Sequence, residues 1–68
     1  MELKWKKTER GFDIAEFKDT YQQDCSVQVS SCVEPRLWVG CGDDRMHLSP
    51  IQCLALAEAL REWAKDNI

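Results

Sequence analysis

The residues best able to do chemistry in this 68-residue chain lie in one stretch, "CGDDRMHLSP", at positions 41–50. The stretch holds the single histidine, His47, together with Arg45, two adjacent aspartates and Cys41. Side chains of these types bind metals, exchange protons at neutral pH or hydrogen-bond an anionic group. The stretch is therefore either a site or a turn that leads into a helix.

A metal site would combine Asp43, Asp44 and His47, with Cys41 as a further ligand. This combination is a poor fit, because adjacent aspartates on an extended chain point in different directions and no second histidine is available. The four cysteines contain no CxxC pair, so the spacing of a zinc ribbon is absent as well. We predict no metal site and no cofactor.

A catalytic site would need His47 to activate a nucleophile such as Cys25, Cys32 or Ser26. No spacing in the sequence fixes those distances, and there is no P-loop, GxSxG or HExxH signature. A domain this small also has little volume for a pocket that excludes water. We predict that the protein is not an enzyme.

A polar binding surface is the third interpretation of the stretch. The alternation in "RMHL" places Arg45 and His47 on one exposed face, where both can donate hydrogen bonds to an anionic group. In "CSVQVSSC" the polar residues alternate with apolar ones, and Trp38 offers a stacking surface nearby. The predicted ligand- or partner-binding residues are Arg45, His47, Trp38, Ser26, Gln28 and Ser30. An ordinary solvated sheet face would show the same pattern, and that alternative stays open.

The elements that position these residues are three strands and a helix. Alternating hydrophobicity and turn residues predict strands at 12–19, 24–32 and 36–41, and a period of 3.6 predicts a helix at 50–66. The predicted fold is α+β, a three-stranded antiparallel β-meander followed by one C-terminal helix packed on one sheet face. Residues 43–48 are expected to form a turn and an extended lead-in to the helix.

The helix start is the best-defined local signal. Ser49 is a suitable N-cap, Pro50 suits the first helical position, and Gln52 completes a capping box. The expected buried stripe consists of Cys53, Leu56, Ala57, Leu60, Trp63 and Ala64. Ile51 and Leu54 lie off that stripe and are a possible interface.

Composition indicates one small domain, residues 1–68, with 44% hydrophobic residues and a net charge of -3. Its parts are a basic N-terminal arm or short strand at 1–10, the meander at 11–48 and the capped helix at 49–68. No apolar run is long enough for a membrane span and no signal peptide is evident, so we expect a cytoplasmic protein. Four basic residues in the first ten are too few to predict nucleic-acid binding.

Three segments, "RGFDIAEFKDTYQQDCSVQVSS", "LWVG" and "RMHLSPIQCLALAEALREW", resemble a family of small, mostly uncharacterised bacteriophage and prophage proteins. The resemblance spans about residues 10–63. The chain departs from the family pattern by carrying Cys32, Cys41 and Cys53. The matching positions are Arg10, Gly11, Phe12, Glu16, Phe17, Asp19, Tyr21, Cys25, Ser26, Gln28, Ser30, Ser31, Trp38, Gly40, Arg45, Met46, His47 and Leu48.

The resemblance implies a phage accessory protein that acts in the host bacterial cytoplasm. We expect a non-enzymatic protein that binds and inhibits a component of an anti-phage defence system. The partner would be a defence protein, such as a CRISPR effector, or a nucleotide second messenger held near Arg45, His47 and Trp38. We also expect a dimer or higher homo-oligomer, because one helix covers only one sheet face. The alternatives are a structural or assembly module that acts by self-association and, with less support, a small metal-stabilised domain.

Overall fold

The protein is an antiparallel sheet followed by one helix. The computed structural model describes residues 2–30 and 35–68. The strands are β1 (Lys6–Lys7), β2 (Asp13–Lys18), β3 (Asp24–Val29), β4 (Leu37–Cys41) and β5 (Asp44–Leu48), and the helix is α1 (Pro50–Asp66). All neighbours pair antiparallel in the order β1-β2-β3-β4-β5. The predicted α+β class is therefore confirmed, and the predicted number of three strands is wrong.

The first additional strand, β1, lies at the edge of the sheet beside β2. Lys6 pairs with Glu16 at 2.5 Å and Lys7 pairs with Asp13 at 2.7 Å. Two lysines carry no alternation of apolar and polar residues, so hydrophobic patterning could not reveal the strand. Charged residues are typical of an edge strand, because they discourage pairing with other chains.

The second additional strand, β5, corrects the interpretation of residues 44–48 as an extended lead-in. Cys41 and Asp44 are direct partners, so Gly42 and Asp43 form a two-residue hairpin turn. Gly42 has a φ of 56°, which suits glycine in such a turn. Gly40 is needed for another reason, because a Cβ at this position would lie 2.0 Å from the carbonyl oxygen of Asp44.

The other predicted elements agree with the structure to within a few residues. Strands β2 and β4 lie inside the predicted ranges 12–19 and 36–41, and α1 matches the predicted range 50–66. Strand β3 ends at Val29, while the last two residues of the predicted range 24–32 lie outside the described part of the chain.

The pairing register assigns side chains to two faces of the sheet. The apolar sheet face carries Ala15, Phe17, Cys25, Val27, Val29, Leu37, Val39, Cys41, Met46 and Leu48, with the charged residues Asp13 and Asp44 at its margins. The polar sheet face carries Ile14, Glu16, Lys18, Asp24, Ser26, Gln28, Trp38, Gly40, Arg45 and His47. Among the described residues the buried hydrophobic side chains are Ala15 and Cys25, both small, so the core within one chain is slight.

The helix begins with the predicted capping box. Gln52 N donates to Ser49 Oγ at 3.2 Å, and Ser49 N donates to Gln52 Oε1 at 2.9 Å. The predicted packing on one sheet face is only partial, because no residue of α1 is buried. The helix starts directly after the edge strand β5, so its first turns lie beside the sheet while Leu60 and Trp63 stay 60% and 69% exposed. Within the described residues, no helix combines the length and the apolar character needed to cross a membrane.

Candidate functional site

The polar sheet face brings most of the predicted binding residues together. Trp38 lies between Gln28 and His47 across three strands, and Arg45 lies in the neighbouring row beside Gly40. Arg45 and His47 therefore share one face, as the alternation in the sequence predicts. Ser30, in the segment after β3, lies beside this face and lines the same cleft as Gln28 and Trp38.

Arg45 is held by hydrogen bonds within the sheet. Its Nη1 donates to Ser26 Oγ at 2.6 Å and to the Ser26 carbonyl oxygen at 3.1 Å, and its Nε donates to the Gly42 carbonyl oxygen at 2.9 Å. These bonds tie the β4–β5 hairpin to β3. The guanidinium thus has structural partners at Nε and Nη1.

The burial of the two serines differs from the expected solvated face. Ser26 and Ser30 are buried, at 5% and 6% exposure, whereas Val27 and Val29 on the other face are only half-buried. Ser26 is buried because the Arg45 side chain lies over it and donates a hydrogen bond to its hydroxyl. Neither serine therefore offers a freely solvated hydroxyl to a partner.

Trp38 is the aromatic centre of the polar sheet face. Its ring stacks on His47 with a centroid distance of 5.1 Å and an interplanar angle of 23°. Its indole Nε1 is shielded from solvent and has no acceptor among the described residues. A buried donor without an acceptor costs about 1–3 kcal/mol, so an arrangement that gives it one is favoured.

A cleft of about 390 Å³ opens on this face beside Trp38. We call it the polar-face cleft. Its lining consists of Thr8, Glu9, Arg10, Phe12, Gln28, Ser30 and Trp38. The β1–β2 turn supplies the first four of these residues, and Phe12 N fixes that turn by donating to Thr8 Oγ1 at 3.1 Å.

The turn between β1 and β2 is the part of the site that sequence reasoning missed. Arg10 and Phe12 reach the cleft because β1 pairs with β2, whereas the sequence predicted residues 1–10 only as a basic arm or short strand, with no partner strand. Gly11, with a φ of 86°, marks the turn between them. Among the described ion pairs none uses Arg10, so its guanidinium is available to an anionic group.

The metal combination considered for Asp43, Asp44 and His47 is not brought together in the described residues, because Asp44 and His47 lie on opposite faces of the sheet and His47 stacks on Trp38. Cys41 instead lies beside Cys25 and Asp19, where one ligand atom from each falls within 4.8 Å of the others. The hydrogen bond between the two thiols and the desolvation of Cys25 raise the pKa of Cys25 to about 11. These three residues could hold a metal ion, but thiols bind metals as thiolates and the raised pKa opposes this at neutral pH. The direct pairing of Cys25 with Cys41 across β3 and β4 brings them together.

The possible interface residues Ile51 and Leu54 are 80% and 74% exposed. Leu54 lines an apolar groove of about 410 Å³ between the start of the helix and the end of the sheet. The other residues of this groove are Val29, Pro35, Arg36, Leu37, Leu48, Pro50 and Cys53. Ile51 is not part of its lining.

Comparison with protein-family models, curated proteins and solved structures finds no match to this chain.

Proposed function

We propose that this protein is a non-enzymatic binding protein that takes up a nucleotide signal in the polar-face cleft and so inhibits a bacterial anti-phage defence system. The observation that carries the proposal is the convergence of a cation, an amide and an indole in one cleft. These groups are Arg10, Gln28 and Trp38. The cleft volume of about 390 Å³ lies within the range of small-molecule sites, about 300–1,000 Å³.

The lining favours a molecule that has both an anionic group and a planar ring. The guanidinium of Arg10 suits a phosphate oxygen, because a planar cation can make two parallel hydrogen bonds to it. The Gln28 amide can donate to and accept from a base edge, and Trp38 offers a large aromatic surface. A shift of the Trp38 ring that brings Nε1 to an acceptor on the bound molecule would also satisfy the unpartnered donor.

The charge of the cleft narrows the class of nucleotide. Glu9 lies in the same lining as Arg10, so the local charge is nearly balanced. A carboxylate at this position repels a polyphosphate more strongly than a phosphodiester, which carries one negative charge per phosphate. Cyclic nucleotides are therefore the preferred ligand class.

The biological setting of the proposal depends on the resemblance to bacteriophage and prophage proteins. A phage protein that sequesters a cyclic nucleotide would remove the signal by which a host activates its defence. The second candidate is a protein target, contacted through the same face. It is favoured by His47, which is exposed and stacks on Trp38 to give an aromatic surface outside the cleft.

Calorimetry distinguishes the two candidates. We expect saturable heat when cyclic AMP, cyclic di-AMP or ADP-ribose is titrated into the protein, since each carries one negative charge per phosphate. Arg10→Ala should weaken binding at least about tenfold, since it removes a charged hydrogen bond. Arg61→Ala, which removes an equal charge from the exposed face of α1, is the matched control and should leave binding unchanged.

Absence of heat with all three nucleotides would overturn the nucleotide proposal. The protein target would then be tested by capture from phage-infected cells. A captured defence protein that is lost with both Arg10→Ala and His47→Ala, and retained with Arg61→Ala, would support the second candidate.

A further inference from the structure

The chain exposes more surface than a folded monomer of its mass. Its accessible area is 5903 Å², whereas about 4,400 Å² is expected for a monomeric protein of 7.9 kDa. Its radius of gyration is 12.8 Å, against about 11 Å expected for 68 residues. The excess area of about 1,500 Å² has the size of one side of a substantial protein interface.

The apolar stripe of the helix is exposed along its second half. The apolar stripe of α1 runs through Cys53, Leu56, Leu60 and Trp63. Cys53 and Leu56, in the first half, are half-buried beside the sheet, whereas Leu60 and Trp63 are 60% and 69% exposed. The second half of the stripe is thus apolar, as a buried surface would be, but little of it is covered.

The apolar sheet face is also incompletely covered. Met46 is 49% exposed, and Val27, Leu37 and Val39 are only half-buried. The rows that begin at Val27 and Val29 carry no charged residue from β3 to β5, which is a feature of interface cores, whereas the row that begins at Cys25 ends at Asp44. A sheet with one apolar face is stable when a second layer covers that face.

We propose that the apolar sheet face and the apolar stripe of α1 form a homodimer interface, in which the helix of each copy covers the sheet of the other. Each chain carries an apolar helix stripe and an apolar sheet face, and neither surface is fully covered within that chain. A two-fold axis brings each half against its complement and closes the assembly at two copies. This reciprocity is the reason for choosing a second copy over an unrelated protein.

The available area agrees with this occupant. An excess of about 1,500 Å² per chain corresponds to about 3,000 Å² for two copies, which lies within the range of obligate homodimers, about 2,000–5,000 Å² in total. The charged positions of α1, Glu58, Arg61, Glu62 and Lys65, lie on the other side of the helix and stay in solvent. The interface leaves the polar-face cleft open, so it is independent of the proposed nucleotide binding.

The specific residues of the interface differ from the pair expected from the sequence. Ile51 and Leu54 lie away from the stripe that contains Leu60 and Trp63. Trp63→Glu should therefore break the dimer, and Ile51→Glu, an identical change at an 80% exposed position, should not. Met46→Glu places the same charge on the sheet side of the interface and should also break it.

Sedimentation equilibrium at 1 to about 100 µM tests these expectations, because most obligate dimers are associated in this range. The wild-type chain should sediment at twice its 7.9 kDa mass. Trp63→Glu and Met46→Glu should each weaken association at least about a hundredfold, because a charge is buried in an apolar interface. Ile51→Glu should sediment as the wild type does.

The melting temperature of the wild-type chain supplies a measurement that needs no variant. It should rise with protein concentration, since association stabilises the folded state. If Trp63→Glu and Met46→Glu unfold instead of forming folded monomers, a concentration-dependent melting temperature of the wild type supports the dimer. A wild-type monomer at about 100 µM overturns the proposal, as does a dimer that only Ile51→Glu disrupts.

Discussion

Arg45 has two alternative roles on the polar sheet face. It either stabilises the sheet through its hydrogen bonds or binds an anion. Its guanidinium donates to the hydroxyl and carbonyl of Ser26 and to the carbonyl of Gly42. A hydrogen bond from a charged donor contributes about 1.5–3 kcal/mol when buried, and Ser26 is only 5% exposed. Because Arg45 itself is half-exposed, we take the lower end for the Ser26 hydroxyl and less for the two carbonyls. Arg45→Ala should then lower the free energy of unfolding by about 2–3 kcal/mol.

Urea denaturation followed by circular dichroism measures this change. Protein concentration must be equal for all variants, because association would contribute to the apparent stability. Arg45→Lys, which keeps the charge but not the three-bond geometry, should lose about half as much. Arg61→Ala, on the exposed face of α1, should stay within about 0.5 kcal/mol of the wild type. An unchanged stability of Arg45→Ala would refute the structural role and return Arg45 to the candidate binding residues.

Three further predictions concern the hairpin, the buried thiol and the helix start. Gly40→Ala should lower the free energy of unfolding by about 2–3 kcal/mol in the same urea assay, because its Cβ would overlap the carbonyl oxygen of Asp44; wild-type stability would contradict this. Alkylation of Cys25, followed by mass spectrometry, should accelerate from pH 9 to pH 11, because its pKa is raised to about 11; a plateau at pH 9 would show that the pKa is ordinary. The stability that Cys25 contributes should accordingly be present below pH 9 and lost as the pH rises toward 11. Ser49→Ala should cost about 1 kcal/mol of stability and reduce the helical signal, and an unchanged signal would mean that the cap does not matter.

Local sequence signals were sufficient for the helix and for the assignment of sheet faces. The Ser49 cap and the 3.6-residue period define α1 without reference to the rest of the chain. Alternation likewise places Trp38 on one face of the sheet and its neighbours Leu37 and Val39 on the other, because side chains along a strand alternate with a period of two. Both signals depend only on residues a few positions apart.

Pairing between distant segments accounts for what the sequence did not reveal. Strand β1 consists of two lysines, whose partners Asp13 and Glu16 are identified only by the register with β2. The burial of Ser26 depends on Arg45, which is 19 residues away along the chain. A serine in an alternating strand is normally solvated, so only the folded arrangement indicates that this one is covered.

Arg10 is a second feature that the sequence alone did not reveal. Arg10 belongs to a basic N-terminal segment that suggested no specific role, and it becomes a candidate ligand contact because the β1–β2 turn places it beside Trp38. Conversely, the hydrogen bonds of Arg45 Nε and Nη1 to Gly42 and Ser26 could not be predicted from the sequence, and its role as an anion contact stays a prediction.

The most direct test of the central claim is the indole N–H resonance of Trp38 during a nucleotide titration. The chain has three tryptophans, so a ¹H–¹⁵N spectrum contains three indole peaks, and Trp38→Phe identifies the relevant one. Titration with cyclic di-AMP should move the Trp38 peak saturably, because Nε1, which has no acceptor within residues 2–30 and 35–68, gains one on the ligand. The peak of Trp63, on the helix stripe, should stay in place. A saturable shift at Trp63 with none at Trp38, or no shift at either, would contradict binding in the polar-face cleft.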